Sequence, residues 1–401
     1  MKILMIAPTP FFADRGCHVR IMEQARSLIS RGHEVLICTY PIGRDVPGLQ
    51  IRRSLRVPWY NKLSAGPSIH KPYIDIMLAL TTIKTARAWR PDVVHAHLHE
   101  GVAIGMWVRR FCKVPLLFDA QGSLTDELKS HGWLRGDSVA HRLTTRVEKK
   151  LNNAATAIVV SQSKTAEIFR DSFAVPAARI SVIEDGVEAG DFFPRPAEPQ
   201  LRAKLGIGAN DKVVAYLGLL TEYQGIDDLL KAAVGVIKER SGVKFLIMGY
   251  PNEKSYRKIA KNLGIDDHVI LTGRIDYLTE APKYLALADV AASPKKDGSE
   301  GNGKLFNYMA MALPTVAYDT AVSREILADA GVLVPTGDTQ ALTLAILELL
   351  GDRQLAASLG ERARERVLGN RSWSERITRL ESIYTNLLEG NNNEADFGAL
   401  L

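Results

Sequence analysis

Residues Gly298 to Val316 read GSEGNGKLFNYMAMALPTV, and the reading of this stretch decides how the chain is parsed. Glycines at 298, 301 and 303 free the backbone for positive φ and for close approach to a ligand, and an apolar segment of helical period follows at once. The pattern is a loop feeding a helix. From about Lys304 the first amides lack partners within the helix, and the dipole at that end favours an anion such as phosphate. The run alone admits both a phosphate site and a glycine-rich surface turn ahead of a core helix.

Working outward, the flanking text alternates short apolar strands with helices. Ahead of the run come strand Val213 to Leu217, helix Ile226 to Glu239, strand Lys244 to Met248, helix Ser255 to Leu263, strand Val269 to Leu271, helix Ala281 to Ala288 and strand Val290 to Ala292. After it come strands Thr315 to Ala317 and Val332 to Val334, then helices Gln340 to Leu350 and Gln354 to Val367. The first half repeats the theme. Strand Lys2 to Ala7 ends in the breaker-rich turn PTPFFADRG; helix His18 to Ser30 stops at Gly32, before strand Glu34 to Thr39. Strands Pro91 to His95, Val114 to Phe118, Ala157 to Ser161 and Ile180 to Ile183 continue the series, with helix Gly101 to Phe111 among them.

Between Asp185 and Asp211 the text turns rich in Pro, Gly and Ala and reads as a linker. At 401 residues the chain suits two cores. The expected division is 1–185, 186–372, a helix 373–389 that needs a partner face, and a disordered tail 390–401. The first turn lacks GxGxxG, which disfavours a dinucleotide site. His95, His97, His99, Glu100, Asp119 and Gln121 fall at expected strand ends, where open α/β sheets place a ligand crevice; one or two of the histidines could instead satisfy buried backbone groups.

No apolar stretch is long enough to span a bilayer, and MKILMIAPTP reads as a strand, so the expected location is the cytoplasm. Cys17, Cys38 and Cys112 show no CxxC spacing, which excludes a disulfide framework or zinc ribbon; no metal is expected. Residues 1–185 carry 26 Lys and Arg against 16 Asp and Glu, so the excess of +10 there exceeds the whole-chain +6. Within 51–90, eight basic residues face the single acid Asp75, with Trp59, Tyr60, Tyr73 and Trp89 interleaved. That segment reads either as a surface for anionic lipid or a phosphate-bearing acceptor, or as a solvated basic face.

Taken in order, PDVVHAH, VIEDGVE, YLGLLTEYQGIDDLLKA, FLIMG, ILTGRI, YLALADVAASP, GKLFNYMAMALPTVA and the closing RSW helix resemble the retaining glycosyltransferases of family four. The resemblance implies a GT-B fold: two Rossmann-like, doubly wound parallel-sheet domains facing a cleft, with the last helix crossing back to the first domain. It implies transfer of a sugar from a nucleotide-diphosphate donor, bound mainly by the second domain, to a glycan or lipid-linked acceptor on the first. The departing diphosphate would assist deprotonation of the acceptor. No cofactor beyond this co-substrate is implied, and no nucleic-acid partner.

The family's first turn usually carries two glycines; here they read Gly16 and Cys17. Its donor-diphosphate basic pair corresponds to Leu219 and Gln224, just after Gly218. Its ribose-holding glutamate corresponds to Asn307, and the histidine after the first domain's strand corresponds to Gln121. Losing both cations removes charge stabilisation of the leaving group, ordinarily a large catalytic contribution. Lys304 is the first replacement; Arg274, Lys295, Lys296 and Arg15 are the others. Glu300 and Gln121 are then expected at the donor sugar, with Gly303, Lys304 and Leu305 at the phosphates, Asn307 at the ribose, and Gly301 and Asn302 also in the donor site. His97 and Glu100 are expected on the acceptor side. The same departures also leave open a GT-B scaffold without catalysis, or an epimerase acting on the nucleotide sugar.

Overall fold

The computed structural model describes residues 1–57, 60, 70–130, 133, 134, 136, 138–296, 301–370 and 373–390. Glu300, Trp59 and the tail after Gly390 lie outside them. The chain forms two compact units: one from residues 1–13, 17–184 and the chain from Trp373 onward, the other from residues 14–16 and 185–372.

The first unit is built on β1 (Lys2–Ala7), β2 (Glu34–Thr39), β3 (Gln50–Arg53), β4 (Val93–His97), β5 (Leu116–Ala120), β6 (Ala157–Val160) and β7 (Ile180–Val182). All pair in parallel, in the order β3-β2-β1-β4-β5-β6-β7. Runs such as KILMIA and VVHAH form strands because both faces of a parallel sheet are covered, so every position can be apolar without alternation. Each fully buried Ile or Leu contributes roughly 1.5–3 kcal/mol, and Ile3, Leu4 and Ile6 of β1 are all at 0% exposure. Strand β3, QIRR, is an edge strand with no apolar signature, and the sequence gives no sign of it.

The second unit carries β8 (Lys212–Leu217), β9 (Val243–Met248), β10 (Val269–Gly273), β11 (Val290–Ser293), β12 (Thr315–Tyr318) and β13 (Val332–Val334). Their order is β10-β9-β8-β11-β12-β13, again all parallel. Each sheet therefore reverses its winding once, between β1 and β4 in the first unit and between β8 and β11 in the second. Doubly wound sheets bind ligands at the carboxyl ends of the strands flanking that reversal.

The last helix, Trp373–Glu389, belongs with the first unit. Tyr384 Oη lies 2.6 Å from His95 Nδ1, the Trp373 ring lies 5.9 Å from the Arg20 guanidinium, and Glu381 accepts from Arg31 and pairs with His33. These contacts supply the partner face that its apolar stripe requires.

Candidate functional site

At the reversal in the second unit, β8 ends at Leu217 and the chain turns at Gly218. A Cβ on Gly218 would lie 2.9 Å from Lys304 Cε, 3.2 Å from its Nζ and 3.0 Å from Tyr216 Oη, so the bare backbone makes room for a lysine. Gly225, with φ +77°, is pressed against Pro294 just after β11, where a Cβ would meet the carbonyl oxygen at 1.9 Å. Only glycine satisfies both the backbone and the space there. Tyr308 ties the following helix, Lys304–Ala310, to the strand ends: its hydroxyl accepts from Leu217 N at 2.8 Å and donates to Ala292 O.

Lys304 Nζ donates to Gln224 Oε1 and sits 4.8 Å from the centroid of the Tyr216 ring. Gln224 is one of the two positions at which the family resemblance leads one to expect a cation. The lysine from the glycine loop thus places its charge beside that position, across 80 residues of sequence. Leu219, the other such position, contributes only its carbonyl, which accepts from Tyr216 Oη at 2.9 Å.

The remaining expected donor residues are placed unevenly. Asn307 is nearly buried and donates to Tyr277 Oη at 2.8 Å, so its amide already has a partner. Asn302 bonds Ser293, Lys295 donates to Gly301 O at 2.9 Å, and Lys296 pairs with Asp228 at 2.9 Å. Arg274 donates from Nε and Nη2 to Asp14, which belongs with this unit. The charges of Lys296 and Arg274 are thus matched by carboxylates. Gly16, also grouped with this unit, would find nothing within 4 Å of an added Cβ, so no close packing demands a glycine there.

In the helix after the glycine loop, one of the amides expected to face an anion is already taken. The helix is seven residues long, Leu305 N already donates to Asn302 O at 3.0 Å, and the Leu305 side chain is in the core. The cationic character of this corner comes from the Lys304 side chain.

In the first unit the structure moves two expected site residues inward. Strand β4 runs to His97, two residues beyond its expected end, and residues i and i+2 share a face. His95 and His97 are therefore stacked at 4.4 Å, both fully buried, and His97 presents no surface to an acceptor. Between them and the helix Gly16–Ser30 lies Asp119 of β5. Both Asp119 oxygens accept from Arg20 Nε at 3.0 Å, and Oδ2 also accepts from Gln24 Nε2 at 2.7 Å. Burial alone would push the Asp119 carboxyl up; the Arg20 guanidinium and the His95 ring instead hold it well below the usual carboxylate range. Burial, then the neighbouring His95, push His97 well below its ordinary value, so its ring is neutral.

One ligand atom each from His95, His97 and Asp119 falls within 4.8 Å of the others, the one group of this kind among the described residues. These three are what a cation could use. The Arg20 guanidinium already on that carboxylate repels a dication, so the cluster reads as an ion-paired core element. No pattern in the sequence marks Arg20, Gln24 or Tyr384 as partners of this cluster. The signal of Arg20, a charged residue among the buried positions of its helix, identifies no partner 99 residues away. His18 was likewise missed: buried on the same helix, it accepts from Ala13 N at 2.8 Å and contacts Thr9 Oγ1, fixing the first turn.

Gln121, one residue past β5, is half-buried, and its Nε2 has no hydrogen-bond partner among the described residues. Glu100 is paired with Lys71, while His99 faces Glu148, which accepts from Leu124 N and Thr125 N. Beside Glu100, Asp75 accepts from Tyr40 Oη at 2.5 Å, yet burial pushes its carboxyl up to about 7.

A group whose folded value is raised stabilises below its unfolded value and loses that contribution as pH rises through the folded one. Stability owed to Asp75 should therefore fall between about pH 4 and 7. Three units correspond to about 4 kcal/mol, and partial exposure leaves roughly 1–2. Asp75→Asn should raise stability at pH 8 by that amount and flatten the fall, as read by urea unfolding across pH; an unchanged slope would count against the assignment.

Residues 197–366 match the family described as glycosyl transferases group 1, and residues 15–186 match the glycosyl transferase 4-like domain. The chain belongs to the family-four glycosyltransferases of GT-B fold. It is 26% identical over 366 residues to a 2-deoxystreptamine N-acetyl-D-glucosaminyltransferase of Streptomyces fradiae, covering 86% of this chain and 85% of that one. A phosphatidyl-myo-inositol mannosyltransferase of Mycobacterium leprae is 27% identical over 363 residues, covering 87% of each. In fold it is similar to the HepE protein of Anabaena, solved in complex with UDP-glucose, at a TM-score of 0.75 and 18% identity, with 96% of this chain and 100% of that one covered. This glycosyltransferase thus carries the family's two parallel sheets, with the Lys304 ammonium beside Gln224 at the reversal of the second one.

Proposed function

We propose that the protein transfers a sugar from a nucleotide-diphosphate donor to a glycan or lipid-linked acceptor with retention of anomeric configuration. The observation that carries this reading is the Lys304 ammonium beside Gln224 and over the bare backbone of Gly218, at the strand ends where a doubly wound sheet binds ligands. One relative's name supports a lipid acceptor, a mannosyltransferase of phosphatidyl-myo-inositol, while another acts on the small aminocyclitol 2-deoxystreptamine.

In this reading Lys304 balances the charge that builds on the departing diphosphate, and the glycines allow phosphate oxygens close to the backbone. Asn307 reaches the ribose after releasing Tyr277, and Glu300 and Gln121 contact the sugar hydroxyls. The protein contributes orientation and charge stabilisation, with no protein nucleophile. The location that goes with it is the cytoplasm, in contact with the inner face of a membrane where polysaccharide or envelope glycans are assembled. No described helix is long and apolar enough to cross a membrane.

A thermal-shift panel of UDP-, GDP-, ADP- and CMP-sugars tests donor binding, because a ligand that binds only the native state raises the midpoint. One nucleotide class should stabilise by about 2.7 kcal/mol at a hundredfold excess over its Kd. A folded protein that responds to none would leave a non-catalytic scaffold. The anomeric proton of the product, read by NMR, decides retention.

A further inference from the structure

Glu148 is a fully buried carboxylate of the helix Val139–Ala154, and the roles assigned above to donor and acceptor residues leave it without a task. Its hydrogen bonds go to a different element. Oε1 accepts from Leu124 N at 3.0 Å, and Oε2 accepts from Thr125 N at 2.9 Å and from Thr125 Oγ1. Those are the first two amides of the short helix Leu124–Ser130. The next two are served locally: Asp126 N donates to Ser123 Oγ at 3.3 Å and Glu127 N to Ser123 O at 3.0 Å. A helix leaves its first four amides without partners of its own, and the cap ordinarily comes from the residue just ahead of it. Here half of the cap arrives from a side chain 24 and 23 positions later, set in the core.

The other side of that carboxylate is closed by His99. Its ring stands edge-on to Phe118 of β5 at 5.0 Å, and its Nε2 lies 3.5 Å from Glu148 Oε1. Glu148 is thereby wedged between the strand and the helix that follows it.

Between those two elements run only Gln121, Gly122 and Ser123. The near end of this span is fixed by the sheet, where Ala120 pairs with Val160 and Asp119 is held by Arg20. Glu148 fixes the far end. Inside the span sits Gln121, half-buried, with an Nε2 that is shielded from water and has no hydrogen-bond partner among the described residues. A shielded donor is costly to leave unpaired, so it points to a group that arrives with the substrate. Gly122 beside it gives the turn no stiffness of its own.

We infer that Glu148 is a positioning residue: by gripping the start of Leu124–Ser130 it aims the Gln121 amide at the donor sugar. Groups that orient a reacting sugar must be held to a fraction of an ångström, and a misplacement of about 1 Å can cost about a hundredfold. Two carboxylate oxygens facing two adjacent amides supply that grip, and a carboxamide, with one acceptor, does not.

The inference rests on the donor reading given under the proposed function, and its test is a double-mutant cycle read by calorimetry. The ligands are the nucleotide sugar that stabilises the wild type most in the panel of UDP-, GDP-, ADP- and CMP-sugars, and the same nucleotide without its sugar. Glu148→Gln keeps the side-chain volume but sets an NH2 against one of the two amides. It should weaken the nucleotide sugar about tenfold and leave the free nucleotide unchanged. Gln121→Ala should do the same, and the double variant should be no weaker than Gln121→Ala alone, because no amide is left to aim. A merely structural role would lower the affinities for both ligands, or make the two substitutions additive. Either result, or an unchanged affinity in Glu148→Gln, would overturn the assignment. Ser123→Ala, which removes only the cap on Asp126 N, runs the same cycle if the thermal midpoint shows that Glu148→Gln does not fold. A wild type that binds no nucleotide sugar overturns the donor reading and this one with it, whereas binding with an additive cycle overturns the positioning role alone.

Discussion

Lys304→Ala should lower the transfer rate about 10²- to 10³-fold while the protein stays folded. The lost ammonium faces the position where charge grows on the departing diphosphate, and removing one preorganised charge or donor at such a position typically has that effect. The structural penalty is modest: Gln224 keeps a contact from Tyr216 Oη, and the variant loses the Lys304–Gln224 hydrogen bond, worth about 1 kcal/mol, with the lysine's contacts to Tyr216. The double variant Lys304→Ala with Gln224→Lys is the sharper measurement. It returns a cation within side-chain reach of the same point, so it should recover activity that Lys304→Ala alone has lost. If single-turnover kinetics show Lys304→Ala unchanged, or Gln224→Lys without any rescue, the relocation of the charge is wrong.

Arg20→Leu should destabilise the first unit by about 3–5 kcal/mol, because it leaves the Asp119 carboxylate buried without its counter-charge. The pH dependence carries the sign. In the wild type the depressed carboxyl contributes stability above its unfolded value near 3.8, and that contribution is lost only in acid. Without Arg20, burial dominates and the folded value rises, so the variant's stability should fall as pH rises from about 4 to 7. Urea unfolding at pH 4.5 and 7.5 would show the reversal; a variant with the same pH slope as the wild type would mean that Arg20 does not set the state of Asp119.

Both predictions concern pairings that the sequence does not display. The alternation of strands and helices was legible because a parallel sheet covered on both faces demands short apolar runs, and KVVAYL, VKFLIM and KILMIA meet that demand almost without interruption. The edge strand QIRR was not legible, since its outer side needs no apolar residue. Glycines 218 and 225 could be flagged as unusual, but which atoms they admit was settled by Lys304 and Pro294, which arrive from distant segments. For the histidines, the end of β4 decides between a site rim and a core, since His97 belongs to the strand and faces Asp119. Arg20 and Asp119 looked like two unrelated charges, and only folding places them 3.0 Å apart.

The helix Trp373–Glu389 has a consequence for how this protein is made. His95 bonds a tyrosine 289 positions later, and His33 pairs with a glutamate 348 positions later. Translation delivers the amino-terminal sheet first, at about 5–20 residues per second, so this unit waits roughly 10–40 seconds, with its groove for the last helix open, while the second unit and the last helix are synthesised. During that interval the nascent chain carries an uncovered apolar groove beside His95, a natural place for a chaperone to hold. A premature stop ahead of Trp373 would make the waiting state permanent, and the product would go to proteolysis rather than to a shortened enzyme.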